Sequence, residues 1–285
     1  MKDIEDLNNP RNIENKSKLK NYVSELIRTF GDTDKKITTK QIEIKMKELR
    51  RKYGISPSKA ELRYIYENYY DKIPINYVLG RFMVKKACRN RSGVLVVTIV
   101  LRPDVFSCPK KCSYCPTETN LEGTLTQPKS YLSSEPAMLR ALKYNFDIRG
   151  QIRDRINAYI KTGNIQLNSN SSKMEIILSG GTWESYPYDY RKLVMNEIYW
   201  AANTYDDKVP REILSIEEEI KINETTKFRV IGMTLETRPD FITKHSIKDY
   251  RRWGVTRIQI GVQHYDDSIL DKINRDCLTS HTIKS

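Results

Sequence analysis

Histidine is scarce in this chain, with three residues among 285, and cysteine is sparse, with five. A fold stapled by disulfides spreads a larger, usually even, set of cysteines through a short secreted sequence. Here three of the five, Cys108, Cys112 and Cys115, crowd together, so a disulfide framework is excluded. Long apolar runs are also missing. The strongest, Val94 to Leu101, is interrupted by Thr98 and falls far short of the roughly 20 residues that cross a bilayer. No apolar segment opens the chain, which speaks against a secretory signal. Membrane, collagen-like and secreted classes fall away, and a soluble cytoplasmic protein is the expectation.

What the chain has in quantity is positive charge. Its net charge is +13, from 49 Lys and Arg against 36 Asp and Glu. The excess is uneven: residues 1–91 hold 22 basic and 12 acidic residues, and residues 92–285 hold 27 and 24. A field this lopsided favours a polyanion, because each phosphate neutralised releases counterions. A solvated basic face with no partner is the plainer alternative.

The basic third has the pattern of folded helices. Leu19, Tyr22, Val23, Leu26, Ile27 and Phe30 recur at helical spacing, giving one apolar stripe. Thr38 with Gln41, and Ser58 with Glu61, have capping-box spacing and predict two further helix starts. Ile42, Met46, Leu49 and Tyr53 line one of these helices, and Leu62, Ile65, Tyr66 and Tyr69 the other. The aromatic cluster of Tyr64, Tyr66, Tyr69 and Tyr70 could stack on unpaired bases, although Tyr66 and Tyr69 are expected in the core.

From residue 92 strands alternate with helices. Val94–Leu101 precedes a helix over 134–159, Met174–Leu178 precedes one after Pro187, and Phe228–Leu235 precedes one over 240–253. Thr256–Val262 then leads to a helical start near Asp266. Four such alternations predict βα units around a parallel sheet. The polar stretches 162–173 and 206–227 are expected as surface insertions. The domains are therefore drawn at 1–91, basic and helical, and 92–285, α/β.

Directly after the first strand, Cys108, Cys112 and Cys115 form a C-x3-C-x2-C loop. Three soft thiolates on a short loop suit an iron–sulfur cluster or zinc. A structural zinc site wants a fourth ligand, and neither Cys88, Cys277 nor His245 is a convincing one. Three thiolates alone would leave one iron of a four-iron cube open. The second strand ends at Gly180, Gly181 and Thr182, a turn where backbone can approach a ligand closely. The third ends in Glu236-Thr237-Arg238-Pro239-Asp240 and the fourth in Ile260-Gly261-Val262-Gln263, with Arg275 beyond. A guanidinium suits a carboxylate, while amide and carboxylate oxygens suit hydroxyls and an ammonium. For Glu236 the alternative is an ion pair with Arg238 or Arg257.

This arrangement resembles the radical S-adenosylmethionine (SAM) superfamily. Within it, Cys112-Ser113-Tyr114-Cys115-Pro116, Ser130-Tyr131-Leu132-Ser133-Ser134-Glu135-Pro136, Met138-Leu139-Arg140-Ala141 and Glu236-Thr237-Arg238-Pro239-Asp240 are similar to the Elongator catalytic-subunit family of tRNA carboxymethyluridine synthases. The likeness runs from about residue 17 to the last residue. The spacing of the first two cysteines is the short one general to the superfamily, where the eukaryotic family members have more residues. The resemblance implies a partial radical-SAM (β/α) barrel of about four of six βα units, preceded by a small basic helical domain. The rest of the barrel and the acetyl-CoA-binding acetyltransferase domain are expected to be missing from this sequence.

The resemblance also implies roles. Cys108, Cys112 and Cys115 would hold a [4Fe-4S] cluster, with S-adenosyl-L-methionine on the open iron. Gly180, Gly181 and Thr182 would face its amino group, Glu236 and Gln263 its polar groups including the ribose, and Arg275 its carboxylate. Tyr114 would lie beside the adenine, or simply pack the loop. Cleavage would yield a 5′-deoxyadenosyl radical that takes a hydrogen from acetyl-CoA, and the carbon radical would attack the wobble uridine of tRNA. Lys85, Lys86, Arg89 and Arg91 would meet tRNA at the groove entrance, or form a solvated approach to the first strand. Other Elongator subunits or a separate acetyltransferase chain would be further partners. A radical SAM enzyme acting on a small molecule such as a porphyrinogen, and a non-catalytic tRNA-binding remnant, are the competing expectations.

Overall fold

The computed structural model describes residues 13–84, 92–103, 108–165 and 172–285. The expected contacts at Lys85, Lys86, Arg89 and Arg91, and the thiol of Cys88, lie outside them. The chain divides into two compact units: Met1–Ser92 with Asn157–Asn168, and Gly93–Ile156 with Ser169–Ser285.

The first unit is built on α1 (Ile13–Phe30), α2 (Thr39–Tyr53), α3 (Lys59–Tyr69) and α4 (Tyr77–Phe82). The apolar stripe of α1 is buried along its length, from Leu19 to Phe30, together with Ile42, Met46, Leu49, Leu62 and Ile65. Both capping boxes form: Thr38 accepts from the Gln41 amide at the start of α2, and Ser58 from the Glu61 amide at the start of α3. Gly54 closes α2 in the left-handed region at φ 66°, where a Cβ would be strained. The short α4 escapes the sequence reading because it holds too few residues to show a period. Its cap Asn76 is buried and ties down the loop between α1 and α2, donating to the carbonyls of Asp32 and Lys35 at 2.8 Å each.

Tyr69 departs from expectation. It is not core but 41 % exposed, with the Lys20 ammonium 3.7 Å from its ring centroid. Position 69 is the last residue of α3, and its ring is met by the ammonium groups of Lys16 and Lys20 rather than by core side chains. Tyr66 is half-buried against the core, and its hydroxyl donates to the Ile73 carbonyl at 2.8 Å.

In the second unit β1 (Val94–Val100), β2 (Ser172–Ser179), β3 (Phe228–Thr237) and β4 (Arg257–Ile260) form one parallel sheet in the order β1-β2-β3-β4. The crossovers carry α5 (Pro136–Lys143), α6 (Ile148–Lys161), α7 (Tyr188–Asn203), α8 (Ile216–Asn223) and α9 (Lys244–Arg252). Two further helices, α10 (Asp267–Lys272) and α11 (Thr279–Lys284), follow β4. This is the α/β partial barrel of four βα units.

Two expectations for the crossovers need correction. The helix drawn over 134–159 is two helices, because Asn145 and Phe146 adopt positive φ, 49° and 61°, which no α-helix continues through. After the break, Gln151 of α6 accepts from the Val100 N–H through Oε1 and donates to the Val100 carbonyl through Nε2, each at 3.0 Å, so a side chain satisfies part of the β1 edge. The stretch 206–227 is more than a surface insertion. It contains α8, whose Glu219 is fully buried and is gripped by both terminal nitrogens of Arg211, at 2.6 and 2.8 Å.

Candidate cofactor site

Parallel strands place the turns at their carboxyl ends along one edge of the sheet, where ligands of α/β folds bind. Here those turns surround an open cavity of about 240 Å³. The loop after β1 supplies Cys108, Cys112, Tyr114 and Cys115; the turn after β2 supplies Gly181 and Thr182. Glu236, Thr237 and Arg238 come from the end of β3, Gly261 and Gln263 from beyond β4, and Arg275 from the segment after α10. Residues far apart in sequence thus share one wall: the Arg275 guanidinium lies 3.9 Å from the Cys112 sulfur across 163 positions.

All three cysteines are free thiols, two of them buried. Cys108 has φ 27°; its amide donates to the Ser185 hydroxyl at 3.0 Å and its sulfur accepts from Thr182 at 3.2 Å. Cys115 shares a hydrogen bond with the Ser130 hydroxyl at 2.6 Å. Ser130 reaches it from a left-handed backbone, φ 78°. Cys112 sits under two guanidinium groups, with Arg238 Nη1 at 3.6 Å and Arg275 Nη1 at 3.9 Å.

These surroundings set opposite tendencies. Burial works to raise the Cys112 thiol, but hydrogen bonds from Arg275 and Tyr114 and the charge of Arg238 outweigh it and bring its pKa below the ordinary thiol value. At Cys115 burial prevails and the pKa rises. Tyr114 is pushed up to about 12, chiefly by burial, against the lowering charge of Arg275.

Of the residues singled out from the sequence, the structure brings Cys108, Cys112, Cys115, Tyr114, Gly181, Thr182, Glu236, Gln263 and Arg275 to the cavity. Gly180 stands apart. It lies behind the wall, where a Cβ would come within 2.8 Å of the Leu101 Cβ, and its carbonyl accepts from the Tyr186 hydroxyl at 2.8 Å. Glu236 pairs with neither arginine. Its oxygens accept from the Tyr131 hydroxyl and from Ser179 at 3.3 Å, while Arg257 pairs with Glu175 at 2.6 Å. Arg275 donates to the Tyr114 hydroxyl at 3.0 Å and to the Gly261 carbonyl; its Nε is buried without a partner.

Sequence reasoning gave no role to Ser130, Tyr131 or Arg238, though all three stand inside the phrases that carried the resemblance. The signal was present, but a phrase does not say which of its members face inward. Among the described residues no group of three or more His, Cys, Asp or Glu side chains is arranged to hold a single metal ion. Ligands of a cubane cluster bind different irons and need no common centre. Three free thiols, each with its own hydrogen-bond partner, beside a cavity lined by the Arg275 guanidinium, fit such a cluster and an anionic companion.

A parallel α/β sheet whose strand ends gather a three-cysteine loop, a glycine turn and a buried arginine defines a cofactor-dependent protein of the barrel type. The Radical SAM superfamily profile matches residues 105–285, and the chain belongs to that superfamily, whose cofactors are S-adenosyl-L-methionine and a [4Fe-4S] cluster. It is similar to the tRNA uridine(34) acetyltransferase of Methanocaldococcus infernus, 33% identical over 95% of this chain and 48% of that protein. The protein of the same name in Methanocaldococcus jannaschii is 33% identical over 96% of this chain and 48% of its own length. Elongator complex protein 3 of Bos taurus is 30% identical over 90% of this chain and 46% of that one. The chain spans about half the length of the curated relatives it matches. Among the described residues no helix is long and apolar enough to cross a membrane.

Proposed function

We propose that this chain carries the radical-generating part of a tRNA wobble-uridine-modifying enzyme of the Elongator catalytic-subunit kind, which forms 5-carboxymethyluridine from acetyl-CoA. The observation that carries this reading is the meeting of Cys108, Cys112 and Cys115 with polar groups from the ends of β2, β3 and β4 on one cavity. Relatives named for acetylation at tRNA uridine 34 give the substrate.

In this reading the three cysteines hold three irons and leave the fourth for S-adenosyl-L-methionine. Such a cluster, when bound and reduced, would supply the single electron needed for reductive cleavage of S-adenosyl-L-methionine. The chain's own residues position and shield. Arg275, on the cavity wall, takes the methionine carboxylate. Gly181, at φ 91°, brings backbone close to the amino group, with Thr182 beside it and Gly180 as packing support. Glu236, held by Tyr131 and Ser179, faces the ribose with Gln263, and Tyr114 flanks the adenine.

Residues 1–91, with an excess of ten positive charges, bind tRNA, with Lys85, Lys86, Arg89 and Arg91 among the phosphate contacts. Acetyl-CoA is the co-substrate in this reading, and other Elongator subunits are further partners of the chain. Oxygen-free reconstitution with iron and sulfide tests the core of this reading: the chain should bind a four-iron cluster and release 5′-deoxyadenosine from S-adenosyl-L-methionine. Zinc in its place, or no metal, would overturn it. Filter binding with tRNA at two salt concentrations tests the rest, since affinity should drop steeply with salt; indifference to salt would remove the nucleic-acid part.

A further inference from the structure

The three thiols do not have equivalent neighbours. Cys108 and Cys115 meet neutral hydroxyls, Thr182 at 3.2 Å and Ser130 at 2.6 Å. Lys129 acts on Cys115 only through its charge, whereas Cys112 has guanidinium nitrogens directed at its sulfur, from Arg238 at 3.6 Å and Arg275 at 3.9 Å. Of its two guanidinium neighbours, Arg275 has its shorter contact elsewhere, to Tyr114 at 3.0 Å, whereas Arg238 directs Nη1 at the sulfur, 3.6 Å away. We propose that Arg238 is a positioning residue that raises the reduction potential of the iron–sulfur cluster by fixing one positive charge and one N–H donor on the Cys112 sulfur. The inference rests on the reading that Cys112 ligates that cluster.

The geometry of Arg238 favours a fixed field over a mobile one. Its Nε and Nη2 grip the two carboxylate oxygens of Asp240 at 2.9 and 3.0 Å. Nη2 also donates to the carbonyls of Arg275 and Asp276, at 2.8 and 3.1 Å. A guanidinium is planar, so pinning two of its nitrogens fixes the direction of the third. The side chain is 4 % exposed, so water screens its charge only weakly. Reduction adds one electron to the cluster, here from dithionite, and breaks no bond. Arginine stays protonated in both states, so its charge favours the reduced, more negative one. Hydrogen bonds to cluster sulfurs and net charge are the protein's levers on such potentials. Asp240 opposes part of this effect, so the pair makes predictions of opposite sign.

The test is a redox titration of the reconstituted full chain, followed by electron paramagnetic resonance. Arg238→Gln should cut the ratio of reduced to oxidised cluster at a fixed poise tenfold or more, a downward shift of about 59 mV for one electron. Asp240→Asn should move the midpoint upward. A residue that merely shaped the loop would not reverse sign between the two variants. Should Arg238→Gln fail to take up iron, the upward shift in Asp240→Asn decides alone. Unmoved midpoints, shifts of the same sign, or loss of the cluster from both variants would overturn the inference while leaving the cofactor reading intact. A wild-type chain that binds no cluster overturns both.

Discussion

The helical unit and the sheet unit spend their sequence differently. In the helical unit the residues that matter to each helix are neighbours in the chain: the stripe of α1 lies within twelve positions, and each capping box within four. In the sheet unit the residues that matter to the cavity are scattered. Cys112 meets Arg238 across 126 positions and Arg275 across 163, and Tyr131 meets Glu236 across 105. The first unit is a set of local decisions packed together. The second places its chemistry only when the strand ends are aligned. Damage to one should therefore appear as lost stability, and damage to the other as lost ligand.

The sharpest break in that contrast would come from Cys112→Ala. Nearly all bound iron should be lost, read as metal content and visible absorbance, with little change in the far-ultraviolet circular dichroism; retained iron would remove Cys112 as a ligand. Arg211→Ala tests whether the sheet unit also has purely structural polar pairs. It leaves the buried Glu219 carboxylate without its cation, held only by neutral donors from Asn203 and Leu214, and should cost about 3 kcal/mol in urea denaturation. Leu62→Ala, in the fully buried core of the helical unit, should cost about 2–5 kcal/mol and leave the iron content unchanged.

A pH series sharpens the comparison further. Glu184 is pushed up to about 7, chiefly by burial, with Oε1 lacking a partner and Oε2 accepting from Thr237. The folded state keeps this proton above the ordinary carboxylate value of about 4.3, where the unfolded chain has released it. Stability should therefore fall as pH rises from about 4.3 to 7 and level off beyond. Glu184→Gln should flatten that slope in urea midpoints measured at each pH; an unaltered slope would remove Glu184 as its source. The smallest effect belongs to Thr38→Ala, which deletes a cap and should lower stability by about 1 kcal/mol, with no change in metal binding.

The order of strands and helices was legible because apolar periodicity is local, and so were the caps, since Thr38 and Gln41 need only three positions to find each other. The cysteine loop was legible for the same reason. The break at Asn145 and Phe146 was not, because positive φ at two ordinary residues carries no compositional mark. Tyr69 has the spacing of a core residue yet is exposed, its ring met by Lys16 and Lys20. Gly180 and Gly181 look alike on the page, yet one packs under Leu101 and the other faces the cavity.

The chain's residues alone determined that a basic helical segment precedes an alternating α/β segment, and that three thiols stand on the loop after its first strand. Only the folded arrangement decided that Glu236 takes Tyr131 and Ser179 as partners instead of an arginine, and that Arg238 spans Asp240 and the Cys112 sulfur. The physical reason is distance along the chain. Periodicity and capping act over a few residues, whereas hydrogen bonds and charges act over a few ångströms, and only strand alignment brings residues a hundred positions apart within that reach.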